Sequence, residues 1–392
     1  MADACARRGC AARGTRSQSW STACRQAAHP QLCPARLRRH TRLAAGEGAV
    51  ALPASPRVVV FSAAPYVLEY LEAPLQEAFP GTRFVEARLS KSSAQLAQGA
   101  DVACLFVNDD CNADVCAQLR AAGVRLIAMR CAGFDRVDLA AAAAEGLTVV
   151  RVPSYSPHAV AEQAVALTLC LNRNLHKAYA RVREGNFTLN GLTGFNMHGK
   201  TVGIVGTGQI GTIAGGIFAR GFGCRVLGYD LYPSAEFTAF GGTYCSLPEL
   251  LSQSDVISLH APLNKSTLHL IGAEQIAQMK RGAFVINTSR GGLVDTRAMI
   301  DGLASGAVGA LGMDVYEREG RLFFKDFSSM TRSKRLRDWD EEMAVLLSIP
   351  TVIVTPHSAF LTTEALTSIA ATTVENISAW ARGEELSNVV RQ

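Results

Sequence analysis

The chain has 392 residues, 48% of them hydrophobic and 19% charged, with a formal net charge of +5. Such a length predicts two domains with sizeable cores, and no run approaches the ~20 consecutive apolar residues that cross a bilayer, so no membrane partner is expected. Nine of the 39 basic residues, all arginine, fall within residues 1–50 against only Asp3 and Glu47; the remainder holds 30 bases and 32 acids, and a body so near neutrality gives no reason to expect nucleic acid as a partner.

Residues 1–55 are rich in Ala, Arg, Ser and Cys, lack a central apolar run and include Pro30, Pro34 and Pro53. Such a leader cannot bury enough surface to offset its ordering entropy. Its composition suits an organellar transit peptide, plastid rather than mitochondrial, and the missing apolar core argues against secretion. A disordered tail that is never cleaved, in a cytoplasmic protein, is the alternative. Four of the eleven cysteines (Cys5, Cys10, Cys24 and Cys33) lie in this leader. The other seven are scattered, without CxxC or Cys/His spacing, and are expected to be small core residues rather than disulfides or metal ligands.

From residue 57 apolar runs alternate with helical stretches. Strands are expected at 57–62, 102–107, 126–129 and 147–150, which predicts a parallel α/β sheet. A single long helix is predicted over 157–183, followed by a loop loosened by Gly191 and Gly194. Six further strands follow, at 202–205, 225–229, 256–260, 283–287, 308–315 and 352–355. Together they predict a doubly wound nucleotide-binding sheet. A last helix, about 362–382, has no strand after it and is expected to return to the first domain.

The strand at 202–205 runs into Gly206-Thr207-Gly208-Gln209-Ile210-Gly211 and then a helix. Gly206 permits the tight turn, Gly208 lets backbone approach a pyrophosphate, and Gly211 lets helix and strand pack. A glycine-rich turn alone is weak evidence, but the next strand ends at Asp230. That is where a ribose-hydroxyl acceptor belongs, and its charge favours NAD over NADP.

A nicotinamide dinucleotide transfers hydride to or from a carbonyl carbon, chemistry that also needs a cation to polarise the carbonyl, a proton donor, and an anchor for that donor. Strand-end motifs supply Arg290 in Asn287-Thr288-Ser289-Arg290, acids in Asp314-Val315-Tyr316-Glu317-Arg318-Glu319, and His357 in Thr355-Pro356-His357-Ser358-Ala359-Phe360. Each has an ordinary structural reading alone; on one sheet they should converge outside the strands' carboxyl ends.

Taken together, these residues resemble the D-2-hydroxyacid dehydrogenases over essentially the whole chain beyond the leader. The resemblance implies two Rossmann-like α/β domains, with a cofactor domain (155–360) inserted into a discontinuous substrate domain (56–154 and 361–392). It implies that Arg290 binds substrate, that His357 is the general acid/base, and that Glu319 is its partner, with Glu317 as the next candidate. Ala132 and Gly133 would offer backbone N–H groups to the substrate carboxylate. Tyr155 would reach the substrate from the interdomain crossover, or merely cap a hinge. NAD would be held by the glycine turn together with Gln209, Ile210, Asp230, Ala261, Pro262, Thr267, Thr288, Ser289, Arg290 and Asp314. Asp314 could equally be an ordinary strand-end acid.

Glu319 is followed by a long charged segment to Leu346 that resembles an insertion of the lactate-type members. Phe360 resembles their apolar pocket wall. The implied reaction is NADH-dependent reduction of pyruvate to D-lactate in a homodimer or homotetramer, with the helix beginning at Pro157 as a candidate association surface. Glyoxylate, hydroxypyruvate and longer 2-keto acids are alternative substrates. An NADH-sensing binding protein on the same fold is the non-enzymatic alternative. Gln163 stands where the family's histidine is expected, which is taken to affect helix packing more than chemistry. Cys131, in the carboxylate loop, would be redox-sensitive only if its thiolate were exposed.

Overall fold

The computed structural model describes Pro53 and residues 55–391. The leader's other residues, and the targeting expected of them, lie outside the described residues.

Two parallel sheets organise the body. The first contains β1 (Val58–Val60), β2 (Arg83–Phe84), β3 (Val102–Leu105), β4 (Leu126–Met129) and β5 (Thr148–Val150), in the order β2-β1-β3-β4-β5. Alternate residues supply two cores. Val59, Ala103 and Ile127 belong to one, while Val58, Val60, Val102, Cys104 and Leu126 belong to the other. Both faces are covered, so these strands read as unbroken apolar runs rather than alternating ones.

The second sheet contains β6 (Thr201–Val205), β7 (Arg225–Tyr229), β8 (Thr243–Tyr244), β9 (Val256–Leu259), β10 (Ala283–Asn287), β11 (Val308–Met313) and β12 (Val352–Val354). Its order is β12-β11-β10-β9-β6-β7-β8, so the chain reverses direction across the sheet between β6 and β9. The expected six strands are therefore seven. Both strands missed by the sequence pattern, β2 and β8, are edge pairs of only two residues and carry no apolar run.

The predicted helix over 157–183 is two helices, Pro157–Asn172 and Leu175–Arg183. Between them Asn174 adopts φ +50°, a left-handed conformation that Asn tolerates better than most residues. The neighbouring Asn172 side chain binds both backbone groups of Phe195, at 2.9 and 2.8 Å, and so docks the following loop against the break. The Pro157 helix is largely buried against the second sheet, with Ala161, Ala164 and Leu167 in that core. The exposed apolar side chains nearby belong to the second helix and its loop: Leu175, Tyr179, Phe187 and Leu189.

The last helix, Thr363–Ala381, packs against the helix Pro65–Ala78 and against β4, with Ile377 and Trp380 in the first sheet's core. The long charged segment after Glu319 is mostly helical, forming Glu319–Leu322, Arg332–Asp338 and Glu341–Ser348. No helix of the described residues is long and apolar enough to cross a membrane, and among them no His/Cys/Asp/Glu cluster could hold a metal ion. Of the seven described cysteines five are buried, and all are free. Two that look scattered in sequence, Cys111 and Cys116, meet at 3.6 Å.

Candidate active site

Loops leaving the carboxyl ends of both sheets line a cleft of about 380 Å³. From the first sheet come Phe106, Arg130, Cys131, Ala132, Gly133 and Tyr155. From the second come Ile210, Pro262, Thr288, Ser289, Arg290, Asp314, His357 and Phe360. The position is the one a parallel sheet provides: strand ends and the switch point leave a crevice that loops can furnish.

β10 ends at Asn287, whose side chain accepts from Ser289 N at 3.1 Å and donates to the Arg290 carbonyl at 2.9 Å. That brace aims Arg290 across the cleft. Its Nη1 donates to Ser289 O at 2.8 Å and its Nε to Asp135 Oδ2 at 3.3 Å. A side chain at Gly133 would come within 2.4 Å of the guanidinium, so the glycine lets the two loops meet.

β11 runs directly into Asp314, whose side chain is fully buried and accepts from Thr355 Oγ1, Ser358 N (2.9 Å) and Ala359 N (2.8 Å). Burial pushes this carboxyl up, against the pull of those donors. Its backbone carbonyl accepts from His357 N at 2.8 Å. Asp314 thus holds the turn in which His357 takes φ +54°, a strained conformation that persists because its surroundings enforce it. Gln163 donates to Thr355 Oγ1 at 3.3 Å, so it braces this same turn as well as packing its helix.

His357 Nδ1 meets Glu319 Oε1 at 3.0 Å, and the two side chains are 15% and 16% exposed. Burial works to raise the Glu319 carboxyl, but the His357 contact and the Tyr316 N–H outweigh it and hold the group below the ordinary range. Glu317 is engaged elsewhere, accepting from His269 at 2.7 Å and Thr296 at 3.0 Å. Of the two candidate acids, Glu319 is therefore the one beside the histidine.

Phe360 sits 5.7 Å from the Phe106 ring and 6.4 Å from Tyr155, forming an apolar wall. Burial raises the Tyr155 hydroxyl to about 12. The wall is backed by Arg130, buried, with its guanidinium 4.3 Å from the Phe106 ring. Cys131 is buried too, its thiol pushed to about 12 and donating to Gly133 O at 3.2 Å, so it is not an exposed thiolate. Phe106, Arg130 and Asp135 escaped the sequence reading. Phe106 and Arg130 directly follow β3 and β4, so the strand-end rule could have found both; Asp135 is identified only by its contact across the fold.

The dinucleotide crevice adjoins this cleft. Gly206, at φ +92°, approaches Ala261 N so closely that a Cβ would lie 2.6 Å away. Gly208 faces open space, and the helix Gln209–Phe222 behind it has no side-chain cap. Uncapped N–H groups at an open helix start suit a phosphate. Gly211 packs so tightly that a Cβ would fall 1.9 Å from Gly206 O. Gln209 is exposed at the helix start. The hydroxyl of Thr288, buried on the cleft wall, has no partner among the described residues, and Ser289 Oγ donates to Ala261 O at 2.7 Å. Asp230 accepts from Thr207 N at 2.6 Å and from Tyr232 N at 2.9 Å. The Thr267 hydroxyl lies outside the cleft lining and ties its own turn, donating to Pro262 O at 2.7 Å. These features fit a dinucleotide: an open phosphate cradle, an acid at the next strand's end and an unsatisfied hydroxyl on the wall between.

The chain belongs to the D-isomer specific 2-hydroxyacid dehydrogenases, whose NAD-binding domain its residues 165–359 match. It is an NAD-dependent enzyme of that family. Within the family it is similar to D-lactate dehydrogenases. The enzyme of that name from Escherichia coli (strain K12) is 45% identical over 332 residues, 85% of this chain and 99% of the relative. The solved structure of the pyruvate reductase of Chlamydomonas reinhardtii is 52% identical, with TM-score 0.82, over 86% of this chain and 99% of that one. D-lactate dehydrogenase from Aquifex aeolicus, complexed with NAD and lactic acid, is 31% identical with TM-score 0.74, over 85% and 99%.

Proposed function

We propose that this enzyme reduces pyruvate to D-lactate, with residues 155–360 forming the cofactor domain and 56–154 with 361–392 the substrate domain. One observation carries the reading: the buried His357–Glu319 pair and Arg290 share a cleft with an apolar wall of Phe106, Tyr155 and Phe360. Bound NADH supplies the hydride. Arg290 holds the substrate carboxylate and polarises the carbonyl, helped by the backbone N–H groups of Ala132 and Gly133. Because Nδ1 of His357 is committed to Glu319, Nε2 is left to donate its proton to the carbonyl oxygen as that oxygen gains charge. Glu319 favours the charged imidazolium before transfer and keeps the ring oriented after it. Phe106, Phe360 and Tyr155 offer the substrate's third substituent an apolar surface suited to a methyl group.

An NADH-oxidation assay over pyruvate, glyoxylate, hydroxypyruvate and 2-ketoisocaproate tests this. Pyruvate should give the highest kcat/KM, and a higher value for any other acid would reassign the substrate. Leu175, Tyr179, Phe187 and Leu189 support assembly of the chain as a homodimer through the Leu175–Arg183 helix and its loop; light scattering of a Tyr179→Asp variant should report monomer. The Arg-rich leader supports import into an organelle, the plastid before the mitochondrion, which localisation of a leader fusion would decide.

A further inference from the structure

The edge strand β8 places the Tyr244 hydroxyl between the glycine turn and the loop after Asp230. It accepts from Ser234 N at 2.7 Å, in the loop after Asp230, and lies 2.7 Å from Thr207 Oγ1 in the glycine turn. Thr207 Oγ1 in turn lies 3.2 Å from Asp230 Oδ2. The proton directions in this chain are determined. A carboxylate accepts only, so the single Thr207 hydroxyl proton goes to Asp230. Thr207 Oγ1 must then accept from Tyr244, whose own lone pair takes the Ser234 N–H. With Thr207 N also donating at 2.6 Å, Oδ2 of Asp230 is saturated from the glycine turn. Among the described residues Oδ1 takes only the Tyr232 N–H at 2.9 Å and keeps a lone pair for a ligand.

We propose that Tyr244 is a positioning residue for cofactor choice: through Thr207 it fixes which face of Asp230 is presented to the ribose, and through Ser234 it fixes the width of that pocket. This rests on the reading of Asp230 as the ribose acceptor. Tyr244 is half-buried and its ring packs 5.1 Å from Phe237, a contact that phenylalanine would retain. Loss of the hydroxyl therefore removes the relay and leaves the packing.

Calorimetric titration of NADH and NADPH, without substrate, tests the proposal on wild type, Tyr244→Phe, Thr207→Ser and Asp230→Ala. Tyr244→Phe should weaken NADH about fivefold, the scale of one net hydrogen bond, while NADPH changes little, so the preference narrows. Thr207→Ser keeps the relay oxygen and should keep the preference. The KM for NADH in Tyr244→Phe should rise by far more than kcat falls. If Asp230→Ala narrows the preference but Tyr244→Phe does not, or Tyr244→Phe weakens both cofactors alike, Tyr244 has no such role. If Asp230→Ala leaves the preference unchanged, the reading of Asp230 fails and this inference with it.

Discussion

At the scale of single residues the cleft depends on three charged groups held by buried neighbours. The His357–Glu319 contact predicts a distinctive pH response. Pyruvate reduction needs the imidazolium and lactate oxidation the neutral ring, so the two directions should show opposite limbs in their pH profiles. Glu319→Gln removes the charge that favours imidazolium, and its reduction limb should move to lower pH. His357→Ala should lose roughly two to four orders of magnitude in kcat, with NADH binding nearly intact. A Glu319→Gln profile superimposable on wild type would show that the carboxylate does not act through the histidine.

The proposed role of Arg290 leads to a separate expectation. Arg290→Lys keeps the charge but loses the planar fork that a carboxylate matches, and it also loses the contact to Asp135. The KM for pyruvate should rise and kcat fall, while NADH affinity measured by titration stays near wild type. An unchanged pyruvate KM would remove Arg290 from substrate binding. Arg290 and His357 could be singled out in the sequence because each lies in the turn just after an apolar strand, whereas Glu319 stands further along and only the family resemblance names it ahead of Glu317. Asp135 could not, since its partner lies 155 positions further on.

At the scale of elements, the same device recurs in both sheets. Asp101, just before β3, accepts from Arg57 N at 3.0 Å beside β1, and Asp255, just before β9, accepts from Thr201 N at 2.8 Å at the start of β6. Each acid pins the beginning of the neighbouring strand and so helps set the register of a parallel pair. The break in the predicted 157–183 helix belongs to this scale as well. Its sequence periodicity continues through residue 174, and the interruption comes from the loop docked on Asn172. A left-handed position penalises a β-branched side chain, so Asn174→Val should cost about 1–2 kcal/mol of stability, and Asn174→Gly should be tolerated. Denaturant unfolding of the two variants would show this; equal midpoints would mean that the backbone there relaxes freely.

At the scale of the whole molecule, the paired aspartates give the fold a predictable acid response. Burial works to raise both carboxyls. Hydrogen bonds from Arg57 to Asp101, and from Thr201 and Lys280 to Asp255, overcome it and hold both below the ordinary carboxylate range. A carboxyl depressed in the folded state contributes stability above its unfolded value, near pH 4. That contribution is lost as pH falls through the lower folded value. Thermal unfolding midpoints should therefore drop steeply as pH is lowered from about 5 to about 3. Asp101→Asn and Asp255→Asn should flatten the drop while starting from lower midpoints. Wild-type and variant curves of the same slope would place the acid sensitivity elsewhere.

Local sequence was enough for the buried strands, the glycine turn and the acid, arginine and histidine that follow strand ends. Those signals lie within a few consecutive residues: apolar runs, a turn that only glycine allows, a polar group where a strand stops. The family resemblance names Glu319 as the partner of His357, but the residue pattern does not distinguish it from Glu317 two residues away, and tertiary structure is what separates their contacts. It also decided that Gln163 braces the His357 turn, that Arg130 backs Phe106, that β2 and β8 join the sheet edges, and that Tyr244 reaches Thr207. The physical reason is common to all of them. Hydrogen bonds and ring contacts act over a few ångströms, and between residues far apart in the chain that distance exists only once the sheets have formed.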